Sequence, residues 1–153
     1  MIEIEEIRRE DLQEFWDKHI NYLIEDEIIE EEDIDYFQSE EYRGILEEYM
    51  EREDRQHFAY CKKNGKRIGA VSYCIYKTED DKCFILDFWI FKEYRNNNLG
   101  HLCFYELEKL TKKAGAKYYE INSEKEESIR FWKSLGFEEN GVDEWGMKLF
   151  IKK

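Results

Sequence analysis

The 153-residue sequence has no proline and only 8 glycines. No Pro/Gly/Ser-rich linker, low-complexity segment or internal repeat divides it, so residues 1–153 read as one domain. It lacks a long apolar run. The longest stretch, CFILDFWIF, is interrupted by Asp87 and is far too short to cross a bilayer. The opening MIEIEEIRRE has no apolar segment of the signal-peptide kind, so a cytoplasmic protein without a membrane partner is expected. The four cysteines, Cys61, Cys74, Cys83 and Cys103, form no CxxC pair and no ligand-like spacing with histidine. They read as small apolar side chains in a reducing compartment, and no metal site is expected. Positive charge is scarce as well. With 24 Lys/Arg against 37 Asp/Glu and a net charge of −13, the chain lacks the basic face that nucleic acid binding needs.

What is present is aromatic and acidic. Phe, Trp and Tyr make up 16% of the residues, ample for a core in a domain that buries about two thirds of its unfolded surface. The charge is uneven. Residues 1–55 hold 22 Asp/Glu against 6 Lys/Arg, a net of −16, while residues 56–153 hold 15 against 18, a net of +3. Solvated helix faces account for most of these charges. The imbalance also fits a division of labour: an acidic N-terminal part that attracts a cation, and a second part that tolerates an anion.

Periodicity orders the elements. Ile2 to Ile7 alternates as a short strand. From Asp11, the positions Leu12, Phe15, Trp16, Ile20, Leu23 and Ile24 share one helical face. Glu25 to Asp33 reads as an exposed loop or helix end, and a second helix carries Tyr42, Ile45, Leu46, Tyr49 and Met50. HFAYCKK and RIGAVSYCIYK then flank Asn64-Gly65, a strong hairpin signal because both residues tolerate positive φ. A strand to Phe91, a helix stopped by Gly115, and the strand KYYEIN follow. Ser123 and Glu126 have the spacing of a capping box, opening a helix with Ile129, Trp132 and Leu135. Two last strands lie around Phe137 and from Trp145 to Ile151. The order β-α-α-β-β-β-α-β-α-β-β describes an α/β domain with a mixed, mostly antiparallel sheet flanked by helices.

One loop stands apart. FKEYRNNNLGHLCF joins a strand to a helix and holds an arginine, three asparagines and a glycine. A helix start leaves N–H groups unpaired and carries positive dipole character. Asn and Gly enter left-handed conformations at low cost, so such a loop can aim its own N–H groups at an anion, with Arg95 and His101 at its edges. It is neither a P-loop nor a GxGxxG fingerprint, and an ordinary strand-to-helix turn is the plainer reading of the loop alone.

Arg95-Asn96-Asn97-Asn98-Leu99-Gly100 resembles the Arg/Gln-x-x-Gly-x-Gly/Ala loop of the GNAT superfamily of N-acetyltransferases. LDFWIFKEYR looks like the strand before that loop, and SIRFWKSLGF like the closing helix of the family. The resemblance implies an acetyl-CoA-dependent N-acetyltransferase in which a primary amine attacks the thioester directly. It implies that Trp89 and Ile90 contact the pantetheine arm. Asn96, Asn97, Asn98, Leu99, Gly100 and His101 hold the pyrophosphate beside Arg95, and Ser128 and Trp132 lie near the arm. Asp87 matches an acidic position of the polyamine acetyltransferase branch. The amine must lose a proton before attack, and Asp87 is the candidate for that step or for substrate binding, with a salt bridge or a wet sheet end as the structural alternative. On an alternating strand Asp87 shares a face with Cys83, Ile85, Trp89 and Phe91.

Three departures from the family pattern stand out. Asn98 replaces the first loop glycine. Lys125 replaces a helix-start Asn, and either reaches a phosphate or is solvated. Trp132 replaces the tyrosine general acid, and an indole N–H cannot serve as an acid. Tyr118, Tyr119 or water are the substitutes, and Trp132 also has the spacing of a core residue. In this fold the first helices border the acceptor site, so Glu25, Asp26 and Glu27 are expected to face a small cationic amine. The second hypothesis is a non-catalytic acyl-CoA-binding or regulatory module. His19 and His57 lie outside the motifs, with no Cys or Ser partner for a nucleophilic triad. Dimers through C-terminal edge strands are common in the family, so a homodimer is compatible.

Overall fold

A computed structural model describes all residues, Met1–Lys153. The elements are β1 (Ile2–Glu6), α1 (Leu12–Glu25), α2 (Ile34–Phe37), α3 (Glu40–Glu51), β2 (Gln56–Lys63), β3 (Lys66–Tyr76), β4 (Lys82–Ile90), α4 (Leu99–Lys113), β5 (Tyr118–Asn122), α5 (Glu126–Ser134), β6 (Glu138–Val142) and β7 (Lys148–Lys152). All seven strands join one sheet in the order β1-β2-β3-β4-β5-β7-β6. Every pairing is antiparallel except β4 with β5, which are joined through α4. The mixed, mostly antiparallel α/β architecture expected from the sequence is the one found. The single-turn α2 is an addition to the expected order: its four residues are too few to show a helical period.

Local chemistry explains the turns. Asn64 and Gly65 both hold positive φ, 51° and 82°, as the two-residue hairpin between β2 and β3 requires. Ser39 caps α3 by accepting from the Tyr42 amide. The expected capping box at α5 does not form. Lys125 occupies the N-cap position without a side-chain bond. Ser123 is buried, and its amide donates to the Lys148 carbonyl, extending the β5–β7 ladder. Sheet pairing takes the residue that local spacing assigned to the cap.

The sheet has two packed faces. On one, Leu12, Phe15, Trp16 and Ile20 of α1 and Leu46 of α3 cover Phe58, Tyr60, Ala70 and Trp89. On the other, Phe104 and Leu107 of α4, Trp132 of α5 and Leu135 just after it cover Ala59, Val71, Tyr73, Cys83 and Ile85. Alternate residues of β4 serve both faces, and the alternation changes parity midway. Ser72 pairs with Asp87 while Tyr73 pairs with Ile85, so Leu86 is an extra residue, a β-bulge. Cys83 and Ile85 therefore face α4 and α5, whereas Asp87 and Trp89 face α1. The expectation that Asp87 shares a face with Cys83 and Ile85 is corrected here: uninterrupted alternation fails at Leu86.

Beyond Phe84, β4 and β5 part company. Only Lys82, Cys83 and Phe84 pair with β5, at Tyr118, Tyr119 and Glu120. The rest of β4 diverges, and the sheet opens into a V.

Candidate active site

A cleft of about 570 Å³ occupies the open side of the V. Its walls are the end of β4 (Phe88, Trp89, Ile90), the loop into α4, and Ser128, Phe131 and Trp132 of α5. At the loop, Asn96 and Asn98 adopt left-handed backbone conformations, φ 68° and 60°. Asn98 thus takes up the geometry for which a glycine was the usual residue, at the low cost asparagine pays there. The amides of Asn96, Asn97, Asn98, Leu99, Gly100 and His101 have no backbone or side-chain acceptor in the chain. The next one, Leu102, bonds to the Asn98 carbonyl at 3.4 Å. Six successive N–H groups without an acceptor thus lie at the positive end of a 15-residue helix, an arrangement suited to an anion. Gly100 packs closely: a Cβ there would stand 2.9 Å from Cε1 of Phe131, so a larger residue would force that ring to shift.

Arg95 lines the same cleft, but its side chain is engaged within the protein. Its Nε donates to the Ile90 carbonyl at 2.8 Å, and its two terminal nitrogens grip Asp26 at 3.2 and 3.1 Å. The side chain ties the loop to the end of β4 and to the C-terminal end of α1. Lys125, exposed to solvent, reinforces this tie by donating to the Asp26 carbonyl. His101 meets the Ser134 hydroxyl at 2.8 Å, and that hydroxyl donates to the Phe131 carbonyl.

On the α1 face, Asp87 meets a residue outside the sequence motifs. Nε2 of His19 lies 3.6 Å from Oδ2 of Asp87. His19 is 4% exposed, wedged between the rings of Trp16 and Trp89 at centroid distances of 4.6 and 4.9 Å. Burial pushes its pKa below the ordinary histidine value, with the Asp87 charge opposing in part. Tyr22 stacks on Trp89 at 4.8 Å and 10°. Burial, then the carboxylates of Asp87 and Asp26, drive the Tyr22 hydroxyl above its usual range. Tyr42, stacked on Trp16, is pushed up to about 12, by burial first and by Asp87 second. His19 had one legible signal: it lies on the buried stripe of α1, three residues after Trp16 and four before Leu23.

The other expected residues separate. Glu25 lines a second cleft, about 400 Å³, with Lys18, Tyr22, Arg67, Trp89 and Lys92. Asp26 is bound to Arg95, so it is not a free carboxylate. Glu27 is exposed in the turn after α1, at φ 54°. Trp132 is 5% exposed and packs against Phe88, Phe104, Phe131 and Phe137 at 5.0–5.8 Å. Tyr118 donates to Asp80, and Tyr119 shares its hydroxyl with Thr111 and the Glu108 carbonyl. Neither tyrosine lines the cleft.

A sequence profile of the acetyltransferase (GNAT) family matches residues 3–137. The chain belongs to that family. Its fold is similar to that of the PaiA N-acetyltransferase from Thermoplasma acidophilum, solved in complex with coenzyme A. That likeness has 21% identity and a TM-score of 0.76, and spans 100% of this chain and 99% of the other. A GNAT-family acetyltransferase from Staphylococcus aureus Mu50 gives 14% identity and a TM-score of 0.69 over 99% and 98% of the two chains. An acetyltransferase from Streptococcus agalactiae 2603 gives 17% and 0.68 over 99% and 97%. No protein of curated function matches the sequence. No helix is long and apolar enough to cross a membrane.

Proposed function

We propose that this chain transfers an acetyl group from acetyl-CoA to the primary amine of a small cationic acceptor. The observation that carries the reading is the run of six unpaired amides, Asn96 to His101, at the mouth of the open V. This donor set fits a pyrophosphate. It offers N–H groups and a helix N-terminus, and Asp26, the carboxylate beside it, is neutralised by Arg95. In this reading the loop amides hold the phosphates, with Arg95 bracing the loop through Asp26 and the Ile90 carbonyl. The backbone of Trp89 and Ile90, released from β5, accepts the pantetheine arm, with Ser128 and Trp132 across the cleft.

Bound there, acetyl-CoA supplies an acyl carbon activated as a thioester. Asp87 takes a proton from the incoming ammonium, because a protonated amine has no lone pair for attack. Glu25 and Glu27 draw the cation toward the end of α1. Trp132 contributes packing, and water supplies the proton to the departing thiolate. Residues 1–153 act as one domain in the cytoplasm, as a monomer or a homodimer.

Titration calorimetry with acetyl-CoA and with CoA, at low and moderate salt, tests the cofactor half. About micromolar binding that weakens with salt is expected, and no binding at millimolar cofactor overturns the reading. Release of free thiol with spermidine, an aminoglycoside and lysine as acceptors tests the other half. A second reading, an acyl-CoA-binding module without turnover, is favoured by the burial of Trp132 where the family places its acid. It is the outcome if CoA binds and none of these amines releases thiol.

A further inference from the structure

Three buried side-chain polar atoms lack a hydrogen-bond partner, His19 Nδ1, Arg43 Nε and the Tyr60 hydroxyl, and of these His19 lies beside Asp87. Its ring has 5% of its side-chain surface exposed, and its Nδ1 has no hydrogen-bond partner. A neutral imidazole has one N–H and one bare nitrogen. Placing the N–H at Nδ1 would bury an unpaired donor, whereas a bare Nδ1 leaves only a lone pair unmet. The N–H therefore sits at Nε2, on the side of Asp87. Protonation of the ring would recreate the unpaired Nδ1 donor, so the same geometry keeps His19 neutral.

Asp87 stands between this ring and solvent. Its side chain is 24% exposed against 5% for His19. The groups around it are few. From α1 come His19 and Tyr22, from α3 Tyr42, and from β3 its register partner Ser72, whose hydroxyl accepts from Gln56 at 2.7 Å. Tyr22 and Tyr42 are both uncharged at neutral pH, their hydroxyls pushed upward by burial. No Lys or Arg pairs with Asp87. Of these neighbours, His19 alone comes within the ion-pair distance of its carboxylate.

We propose that His19 is the positioning residue for Asp87: its Nε2–H orients the carboxylate and stabilises it in the ionised form, ready to receive a proton from the acceptor ammonium. The proposal rests on the acyl-transfer reading above. At 3.6 Å the contact is electrostatic in the free protein, and it closes to a hydrogen bond when the amine is bound, as catalytic contacts commonly do. The proton passes from the ammonium nitrogen to the Asp87 carboxylate. His19 neither gains nor loses one.

Nitrogen-15 NMR of the histidine rings in the whole protein reads the tautomer without any ligand. The expected spectrum has a protonated Nε2 and a bare Nδ1 on His19, unchanged between pH 6 and 8, with the Nε2 signal shifting in Asp87→Asn. A protonated Nδ1, a ring that charges within that range, or an Nε2 signal blind to Asp87→Asn overturns the proposal. Kinetics with acetyl-CoA and spermidine add the functional arm. His19→Phe keeps the packing and removes the donor, and is expected to lower kcat about tenfold with KM little changed. His19→Gln, which can place an amide N–H near the Nε2 position, is expected to recover most of that loss. A Phe variant with full kcat overturns the positioning role. A wild-type protein that acetylates no amine sinks the acyl-transfer reading instead, and the NMR result still decides whether His19 and Asp87 are coupled.

Discussion

The two faces of β4 are built from the same strand and put to different use. Toward α4 and α5 the strand presents Cys83, Ile85 and Phe88, packed among Phe104, Leu107 and Trp132. Toward α1 and α3 it presents Asp87 and Trp89, set among His19, Tyr22 and Trp16. The bulge at Leu86 sets the parity by which Asp87 and Trp89 turn toward α1 while Phe88 stays with Cys83 and Ile85. A carboxylate on the first face would be buried without a partner, at a cost of several kcal/mol. On the second it finds an imidazole and partial access to solvent. One face is packed throughout, and the other holds the carboxylate to which the proposed chemistry is assigned.

The sharpest way to break this contrast is Asp87→Asn. It is nearly isosteric and is expected to cut kcat about 10²–10⁴-fold while leaving the thermal midpoint close to wild type. Steady-state kinetics beside a thermal melt checks both halves. Trp132→Ala tests the opposite face and should cost about 3–5 kcal/mol of stability, read by denaturant titration. If Trp132→Ala instead left stability intact and abolished turnover, the assignment of that face to packing would fail. Gly100→Ala strains the junction between α4 and α5, because the new Cβ meets Phe131 at 2.9 Å. An overpacking cost of about 1–3 kcal/mol is expected, together with weaker CoA binding by calorimetry. Asp26→Ala frees Arg95. The pair is partly exposed, so only about 1 kcal/mol of stability should be lost, while CoA affinity shows whether the freed guanidinium helps or loosens the loop.

The smallest effect is in pH. His19 has a folded pKa below 6.5, so the unfolded chain binds the proton more readily. Stability from its burial is fully present above pH 6.5 and is lost as pH falls toward the folded value, at most about 1.4 kcal/mol per unit. His19→Phe should flatten that slope in denaturant titrations at pH 6.5 and 5.5. Glu6 acts lower. The His57 hydrogen bond, opposed by burial, holds its carboxyl below 4.5, so its contribution is lost only as pH falls below 4.5.

Much of this was legible in the residues. The apolar stripe of α1, the Asn64-Gly65 hairpin and the helix after Gly100 follow from local period and turn chemistry, and all appear in the fold. The left-handed Asn96 and Asn98 follow from the same local preference. Elsewhere local rules were overridden. Ser123 satisfied a capping pattern but was taken by the β5–β7 ladder. Glu25, Asp26 and Glu27 are consecutive acids of similar appearance, yet only Asp26 meets a guanidinium, contributed by a residue 69 positions away.

By itself, then, the sequence determined the order of the main elements, the left-handed turns of the loop into α4, and a family resemblance that the profile match over residues 3–137 supports. These are short-range properties, set by backbone preferences and periods of 2 and 3.6 residues. Only the tertiary structure decided which way Asp87 points, that His19 stands behind it, and that Arg95 and Asp26 hold each other. One inserted residue at Leu86 reverses the parity of everything after it on β4. Whether a bulge forms depends on the register against β3, which depends on how the whole sheet packs.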